Sequence, residues 1–223
     1  MRKLWNKEAR LCHDQPETQD VVGGCVPIEC QRRDLVVATN NQHKLQEIQS
    51  ILGPRWRILG AQDVASGLSW DETGTSFLEN ARIKIAALRR HFKGCILADD
   101  SGLCVDALQG APGVVSSSYG GVEGDHARNV ARLLADLRDV PESLRGAHFY
   151  CLILFSNEKG EEKVFEGKCN GRILESPRGH GGFGYDPVFA PDGYSISMAE
   201  MAASDKNAIS HRGLAMKAFK EAF

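Results

Sequence analysis

Hydrophobic residues recur along this chain in two spacings, one typical of helices and one typical of strands. Apolar residues three and four apart predict a helix over 44–52, which ends at Gly53-Pro54, and further helices over 77–92, 125–137 and 210–222. Short apolar runs and alternating stretches predict strands at 35–38, 57–59, 95–98, 103–108, 147–155, 163–165, 171–174 and 188–189. Interleaved helices and strands indicate an α/β or α+β protein.

Polar residues mark where these helices begin. Ser76 and Glu79 have the spacing of a capping box, and Asp125 has the position of an N-cap. The polar turn 39–43 separates a short buried strand from the helix that follows it. Such strand–turn–helix units often bind phosphate, because the helix N-terminus offers free N–H groups and partial positive charge. The glycines of a P-loop are missing, so this signal is weak alone.

Two adjacent carboxylates, Asp99 and Asp100, follow the apolar residues 96–98 and precede Ser101-Gly102. This pattern predicts a buried strand that ends in a tight turn. Neighbouring side chains at a strand end point in different directions, so one carboxylate could bind a metal or activate water while the other supports the loop. Strand ends in α/β sheets are also where ligands bind. The alternative is an ordinary Asp-Ser-Gly turn whose side chains hydrogen-bond to their own backbone.

A second acidic turn contains Glu72. If that turn lies beside Asp100, the two carboxylates could share a hard cation, for which Mg²⁺ is the natural candidate. The alternative for Glu72 is a solvated loop charge, which is the ordinary state of glutamate.

Several other residues are candidates for binding a phosphorylated ligand. Lysine offers a point charge and arginine a bidentate fork to phosphate, although each such residue alone could equally be a surface charge. The glycine-dense loop 178–187 carries aromatic rings that could stack on a base, or it could be a turn held by one buried aromatic. His211 could donate to a carbonyl oxygen, or it could simply lie at a helix start. These candidates are Lys44, Lys84, Lys206, Arg212, Phe183, Gly184, Tyr185, Asp186 and His211.

Composition and charge narrow the class of protein. The 223 residues are 42% hydrophobic and 25% charged, and the net charge of −2 favours neither nucleic acid nor a membrane surface as a partner. We expect no transmembrane helix, signal peptide or transit peptide. Residues 1–34 lack periodicity and are expected to be a flexible extension before a domain at 35–223. The seven irregularly spaced cysteines indicate reduced thiols in a cytoplasmic protein, and Cys12, Cys25 and Cys30 lack zinc-ligand spacing.

Five short motifs in order resemble the non-canonical purine NTP pyrophosphatases, the inosine/xanthosine triphosphate pyrophosphatases often called the Ham1-like or RdgB family. The resemblance runs from Leu35 to the C-terminus. The motifs are the TxNxxK segment at 39–44, 72–84 with ETG, FLENA and Lys84, ADDSGL at 98–103, GFGYDP at 182–187 and KNAISHRG at 206–213. Two departures are the long N-terminal extension and Ser116-Ser117-Ser118-Tyr119, where many bacterial members carry an arginine before the tyrosine.

The resemblance implies an α/β fold with an elongated mixed sheet, flanking helices and two lobes around a central nucleotide cleft, usually in a homodimer. It implies Mg²⁺-dependent hydrolysis of ITP, dITP and XTP to the monophosphate and pyrophosphate. By the same resemblance Glu72 and Asp100 are metal ligands, and Asp100 is also the general base. The implied phosphate contacts are Thr39, Asn40, Asn41, Gln42, His43, Lys44, Lys84 and Ser101. The implied base and nucleotide contacts are Phe183, Gly184, Tyr185, Asp186, Lys206, His211 and Arg212.

Two alternatives to this enzyme remain at the level of sequence. One is a non-catalytic purine nucleotide sensor on the same fold, although a sensor would not need the Glu72–Asp100 pair together with Lys84. The other is a metal-dependent phosphatase for a different phosphorylated small molecule, against which the loop 183–186 and His211-Arg212 argue.

Overall fold

The computed structural model describes residues 33–223. The extension predicted at 1–34 therefore lies outside the described residues, as do Cys12, Cys25 and Cys30, except that Arg33 and Asp34 begin the first strand. Six strands form one sheet in the order β2-β1-β3-β4-β5-β6. Their bounds are Arg33–Val37 (β1), Trp56–Gly60 (β2), Cys95–Val105 (β3), Gly146–Ser156 (β4), Glu162–Ile173 (β5) and Phe189–Pro191 (β6).

The sheet is mixed, as the sequence resemblance implied. Strands β2, β1 and β3 are parallel, whereas β3, β4, β5 and β6 are antiparallel neighbours. The helices are Gln42–Leu52 (α1), Ala61–Val64 (α2), Phe77–Arg89 (α3), His126–Asp136 (α4), Ala203–Ile209 (α5) and His211–Ala222 (α6). None of the helices within 33–223 is long and apolar enough to cross a membrane.

Apolar side chains from both faces of the sheet form the core. On one face, β1, β3 and β4 pack against α1 and α6, where Ile48 and Phe219 are fully buried. On the other face, the same strands pack against α3 through Ala81 and Leu88. Leu133 of α4 belongs to a third cluster, built on the far ends of β3, β4 and β5. Two helix layers therefore flank the strand that carries the acidic pair.

The turn predicted at Ser101-Gly102 is wrong, because β3 continues without a break from Cys95 to Val105. It pairs with β4 over ten positions, from Ile96 opposite Ser156 to Val105 opposite Ala147. This ladder satisfies the backbone throughout the polar stretch. The parallel contact of β3 with β1 ends at Leu97, so the two aspartates lie just beyond the carboxyl end of β1.

Other element predictions differ in detail. The strands predicted at 163–165 and 171–174 are parts of one strand, β5, and residues 106–108 form a 3₁₀ turn that follows β3. Helix α3 ends at Arg89, before Phe92, and α5 and the short α2 were not predicted.

The helix caps follow the sequence closely. The side chains of Ser76, Asp125 and Ser210 each accept a hydrogen bond from the first turn of α3, α4 and α6. The capping box is shifted, because the Glu79 carboxylate accepts from the N–H and hydroxyl of Thr75. These bonds fix Thr75 and Ser76 against the first turn of α3.

Candidate active site

Asp99 is fully buried on the face of β3 that packs against α1 and α6. Its carboxylate accepts hydrogen bonds from Lys44 Nζ at 2.6 Å and from Arg212 Nε at 2.8 Å. The Ser101 hydroxyl, 2.8 Å away, and the Cys151 thiol, 3.3 Å away, donate to the same carboxylate. Burial alone would raise the pKa of Asp99, but the Arg212 and Lys44 charges hold it well below its usual range. Asp99 is therefore a fixed anion that ties α1 and α6 to the sheet.

Asp100 lies on the opposite face of β3, toward α3, because successive side chains of a strand alternate between faces. Lys84 Nζ of α3 is 2.6 Å from Asp100 Oδ1, 3.1 Å from Glu72 Oε1 and 3.1 Å from the Asp99 carbonyl oxygen. The side chain of Glu72 is 36% exposed and accepts from the Trp70 indole at 3.4 Å. Lys84 thus joins the two carboxylates that the sequence suggested as a pair.

Asp100 keeps one oxygen free. Its Oδ2 is buried and has no hydrogen-bond partner among the described residues. Burial raises the pKa of Asp100 to about 6, against the lowering effect of the Lys84 and Lys44 charges, and the Glu72 charge contributes to the rise. Burial also raises the pKa of Glu72, but the charge and hydrogen bond of Lys84, together with the Lys44 charge, outweigh burial and the pKa is lowered. One carboxylate is thus suited to take up a proton while its neighbour stays ionised.

The aromatic loop lies beside the Asp99 face. The Phe183 ring stacks on His43 with ring centres 5.4 Å apart, and two cations lie over it: Lys206 Nζ at 5.0 Å and Arg212 Cζ at 5.6 Å. Buried Asp186 accepts from Lys206 Nζ at 2.7 Å and from the Phe183 N–H at 2.8 Å. The aromatic loop and the cations Lys206 and Arg212 are therefore held together by direct contacts.

A cavity of about 100 Å³ opens between this loop and β3. It brings together predicted site residues from four separate parts of the sequence. Tyr185 also donates to the Ser116 carbonyl oxygen at 2.9 Å, which anchors the loop to a segment that lines the same cavity. The predicted residues in the lining are Asn41, Lys44, Ser101, Phe183, Gly184, Tyr185, Asp186, Lys206, His211 and Arg212.

The first turn of α1 approaches the cavity from the end of β1. Asn41 caps the helix by accepting from the N–H groups of His43 and Lys44, and the Thr39 hydroxyl accepts from the Asn41 N–H. Gln42 is the exposed first residue of α1. Asn40 is turned aside, since its side chain hydrogen-bonds with Gln62 and with the Leu68 carbonyl. Of residues 39–44, Asn41 and Lys44 line the cavity.

His211, the first residue of α6, is buried and stacks on Phe149 with ring centres 4.7 Å apart. Its Nδ1 has no hydrogen-bond partner within residues 33–223. Burial, followed by the neighbouring Arg212 charge, holds the pKa of His211 well below its usual range. The ring is therefore a neutral group with one donor and one acceptor nitrogen.

Two contributors to this site had no distinguishing signal in the sequence. Glu47 of α1 accepts from Lys206 and Arg212, which lie some 160 residues further along the chain. Cys151 of β4 is the buried thiol behind Asp99. Among the described residues, no group of three or more histidine, cysteine, aspartate or glutamate side chains could hold a metal. A metal here would rest on two carboxylates.

Comparison with known proteins gives one consistent family. The Ham1 family model matches residues 35–222. A dITP/XTP pyrophosphatase of Halalkalibacterium halodurans is 42% identical over 186 residues, which cover 83% of this chain and 96% of that protein. A dITP/XTP pyrophosphatase of Opitutus terrae is 45% identical over 190 residues, which cover 81% of this chain and 94% of that protein.

Solved structures agree. The Staphylococcus aureus Ham1 protein superposes with a TM-score of 0.76 at 35% identity, covering 85% of this chain and 97% of its own. A nucleoside-triphosphatase / dITP/XTP pyrophosphatase of Mycobacterium abscessus gives a TM-score of 0.68 at 42% identity, covering 83% and 98%. Because fold, sequence and nearly the full length of the relatives all match, this chain belongs to the Ham1 family.

Proposed function

We propose that this chain hydrolyses the non-canonical purine nucleoside triphosphates dITP, ITP and XTP to the nucleoside monophosphate and pyrophosphate. Relatives that are more than 40% identical over almost their whole length carry the name dITP/XTP pyrophosphatase. The observation that carries the proposal is that two adjacent carboxylates on β3 have different surroundings. The buried, fixed carboxylate of Asp99 holds Lys44 and Arg212, which line the aromatic cavity, and the carboxylate of Asp100, which has a free oxygen, faces Glu72 and Lys84.

The cations of the site suit a triphosphate. Lys44 Nζ, at the start of α1, lies 2.6 Å from Asp99, and its charge acts to lower the pKa of Asp99 and of Asp100. Lys84 supplies a second positive charge at the Asp100 face. Fixed positive charges beside a polyphosphate stabilise the charge that develops as the phosphoanhydride bond breaks.

Mg²⁺ is the proposed cofactor, and the residues present fit it. Asp100 Oδ2 is a buried carboxylate oxygen without a partner among the described residues, and the Glu72 carboxylate lies on the same side of β3. Two hard oxygen donors, with water and phosphate oxygens filling the other positions, are the usual Mg²⁺ arrangement. When bound, the ion would neutralise phosphate charge and lower the pKa of a water molecule.

Asp100 is the proposed general base. Its carboxylate can accept a proton from the water that attacks the α-phosphorus, in the role that the family resemblance implies. The new bond joins the water oxygen to the α-phosphorus, and the bond between the α-phosphorus and the bridging oxygen breaks. Pyrophosphate leaves with that oxygen.

Phe183, Lys206, His211 and Arg212 are the proposed base site. The Phe183 ring offers a stacking surface, and the cations and the neutral imidazole offer donors to the 6-oxo group of hypoxanthine or xanthine. Adenine carries a 6-amino donor and lacks the N1–H, so it would set a donor against these donors. Sites that depend on such hydrogen bonds can discriminate by roughly 10⁴-fold.

We also propose which part of the chain carries catalysis, how many copies assemble and where the protein lies in the cell. We place catalysis in residues 35–223 and expect the preceding extension to be dispensable. We propose a homodimer, which the family resemblance supports. We also propose a cytoplasmic location, which the free thiols of Cys95, Cys104, Cys151 and Cys169 support. Deleting residues 1–32 should leave kcat within about two-fold of the full chain. Light scattering should give about twice the 24.4 kDa chain mass.

A substrate panel tests the activity itself. Purified full chain is incubated with Mg²⁺ and ITP, dITP, XTP, GTP or ATP, and both pyrophosphate and orthophosphate are measured, with an EDTA-treated sample as the metal control. We expect pyrophosphate from ITP, dITP and XTP, little turnover of ATP, and no product with EDTA. Orthophosphate as the main product, or equal turnover of ATP, would contradict the proposal.

A further inference from the structure

The carboxylate of Glu47 holds two cations of the proposed base site. Glu47 Oε1 lies 2.7 Å from Lys206 Nζ, and Oε2 lies 2.5 Å from Arg212 Nη1. The three side chains are 16%, 8% and 2% exposed, so these bonds are shielded from water. Helix α1 is thereby connected through one side chain to both α5 and α6.

Each of these cations has one other carboxylate partner. Lys206 also bonds to Asp186 at 2.7 Å, and Arg212 also bonds to Asp99 at 2.8 Å. Glu47 therefore sits between two ion pairs and draws their cations toward each other. Both cations end within 6 Å of the Phe183 ring centre, which fixes their spacing across the face of that ring.

Glu47 itself stands behind the cations and outside the lining of the cavity. It can therefore affect a bound base only through the two side chains that it holds. Glutamine in its place would keep one acceptor oxygen but set an amide NH₂ donor against the other cation, and that cation would swing back to Asp186 or Asp99. The spacing of the donors would then no longer be fixed.

We propose that Glu47 is a positioning residue for base selection: it holds Lys206 and Arg212 at one spacing beside Phe183, and this spacing admits 6-oxopurines in preference to adenine. This inference rests on the proposed function. Because the cations that Glu47 holds lie on the Asp99 side of β3, opposite the Glu72–Lys84–Asp100 cluster, its loss should weaken substrate binding and selectivity more than the chemical step.

The test is steady-state kinetics with ITP and ATP in the presence of Mg²⁺. For E47Q we expect KM for ITP to rise about ten-fold or more, kcat to stay within about three-fold, and the ratio of kcat/KM for ITP over ATP to fall at least ten-fold. E47D keeps the charge on a shorter side chain and should restore part of that ratio. E162Q is the matched control, since Glu162 pairs with Arg82 at the surface, and it should behave as the parent.

A double-mutant comparison separates positioning from general damage. If Glu47 acts through Lys206, the loss of selectivity in E47Q/K206Q should be clearly smaller than the product of the two single losses. Thermal unfolding of each variant verifies folding. If E47Q does not fold, the same comparison is made with E47D, K206Q and E47D/K206Q.

Three results would overturn the inference. The first is a loss of selectivity in E47Q/K206Q equal to the product of the two single losses. The others are an unchanged ratio of kcat/KM for ITP over ATP in E47Q, or a fall in its kcat at constant KM. Absence of ITP hydrolysis by the parent chain would instead count against the proposed function. Calorimetric binding of IMP and AMP to the parent, E47Q, E47D and K206Q chains and the double variant would then test the positioning role, with loss of IMP preference expected. An unchanged IMP preference, or multiplicative losses of it, would overturn the role.

Discussion

Asp99 and Asp100 are consecutive in β3 and bind cations on opposite faces of the sheet. Lys44 and Arg212 hold Asp99 from the side of α1 and α6, whereas Lys84 holds Asp100 from the side of α3. The alternation of side chains along an extended strand thus gives two adjacent carboxylates unlike environments. One is ionised and fully hydrogen-bonded, and the other has a raised pKa and a free oxygen.

Replacing Asp99 by asparagine should destabilise the fold. The substitution leaves Lys44 and Arg212 without the buried anion that both contact, and removing one partner of a buried ion pair costs about 3–5 kcal/mol. Urea unfolding monitored by circular dichroism measures the change in the free energy of unfolding. The matched control is D34N, because Asp34 pairs with Arg57 at the surface. If D99N and D34N lowered stability equally, the structural role of Asp99 would be refuted.

Gly213 allows α5 and α6 to approach closely. A Cβ atom at this position would overlap the backbone carbonyl of Asn207, which has no flexible end to move aside. G213A should therefore cost about 1–3 kcal/mol and displace Arg212, raising KM for ITP. In the control G60A, the added Cβ would meet the mobile end of Leu45 at 3.3 Å, and we expect a much smaller loss. Thermal unfolding with ITP kinetics compares the two, and equal losses would argue against this packing account.

The buried His211 makes stability depend on pH. Its pKa in the folded chain lies well below the value of about 6.5 expected when unfolded, so below pH 6.5 only the unfolded chain gains this proton. Stability is therefore unaffected by His211 above pH 6.5 and falls as pH decreases below it. Between pH 7 and pH 5 this loss amounts to about 2 kcal/mol.

The variant H211F isolates this contribution, because phenylalanine retains the stacking on Phe149 without a titratable group. Urea unfolding of both proteins at pH 7 and pH 5 gives the difference directly. We expect the parent chain to lose about 2 kcal/mol more than H211F over this interval. An identical pH dependence of the two proteins would show that His211 is protonated in the folded chain.

Much of the fold follows from local patterns in the sequence. The apolar spacing of α1, α3, α4 and α6 predicted these helices, and the cap residues placed their starts within a few positions. The polar run at 99–102 misled the prediction. Local chemistry favours a turn there, but the ladder to β4 and the cations on both faces keep the chain extended. Those partners come from distant segments, so no window around Asp100 could indicate them.

Contacts between distant segments also limit what the sequence predicts about the site. The family resemblance predicted site residues in separate motifs, and ten of them line the cavity. Glu47 was overlooked because an acidic residue three positions after Lys44 is indistinguishable from a solvated helix charge. Its contacts with Lys206 and Arg212 depend on how α1 packs beside α5 and α6, which only the tertiary structure specifies.

Comparison of D100N with the parent chain tests whether Asp100 is the general base. Pyrophosphate and IMP are measured after mixing excess enzyme with ITP and Mg²⁺, and ITP binding is measured by calorimetry with Ca²⁺ in place of Mg²⁺ for both proteins. We predict that D100N binds ITP within about ten-fold of the parent and forms pyrophosphate at least about 10³-fold more slowly, since a lost general base typically costs 10²–10⁴-fold. Pyrophosphate formation at close to the parent rate would exclude Asp100 as the general base.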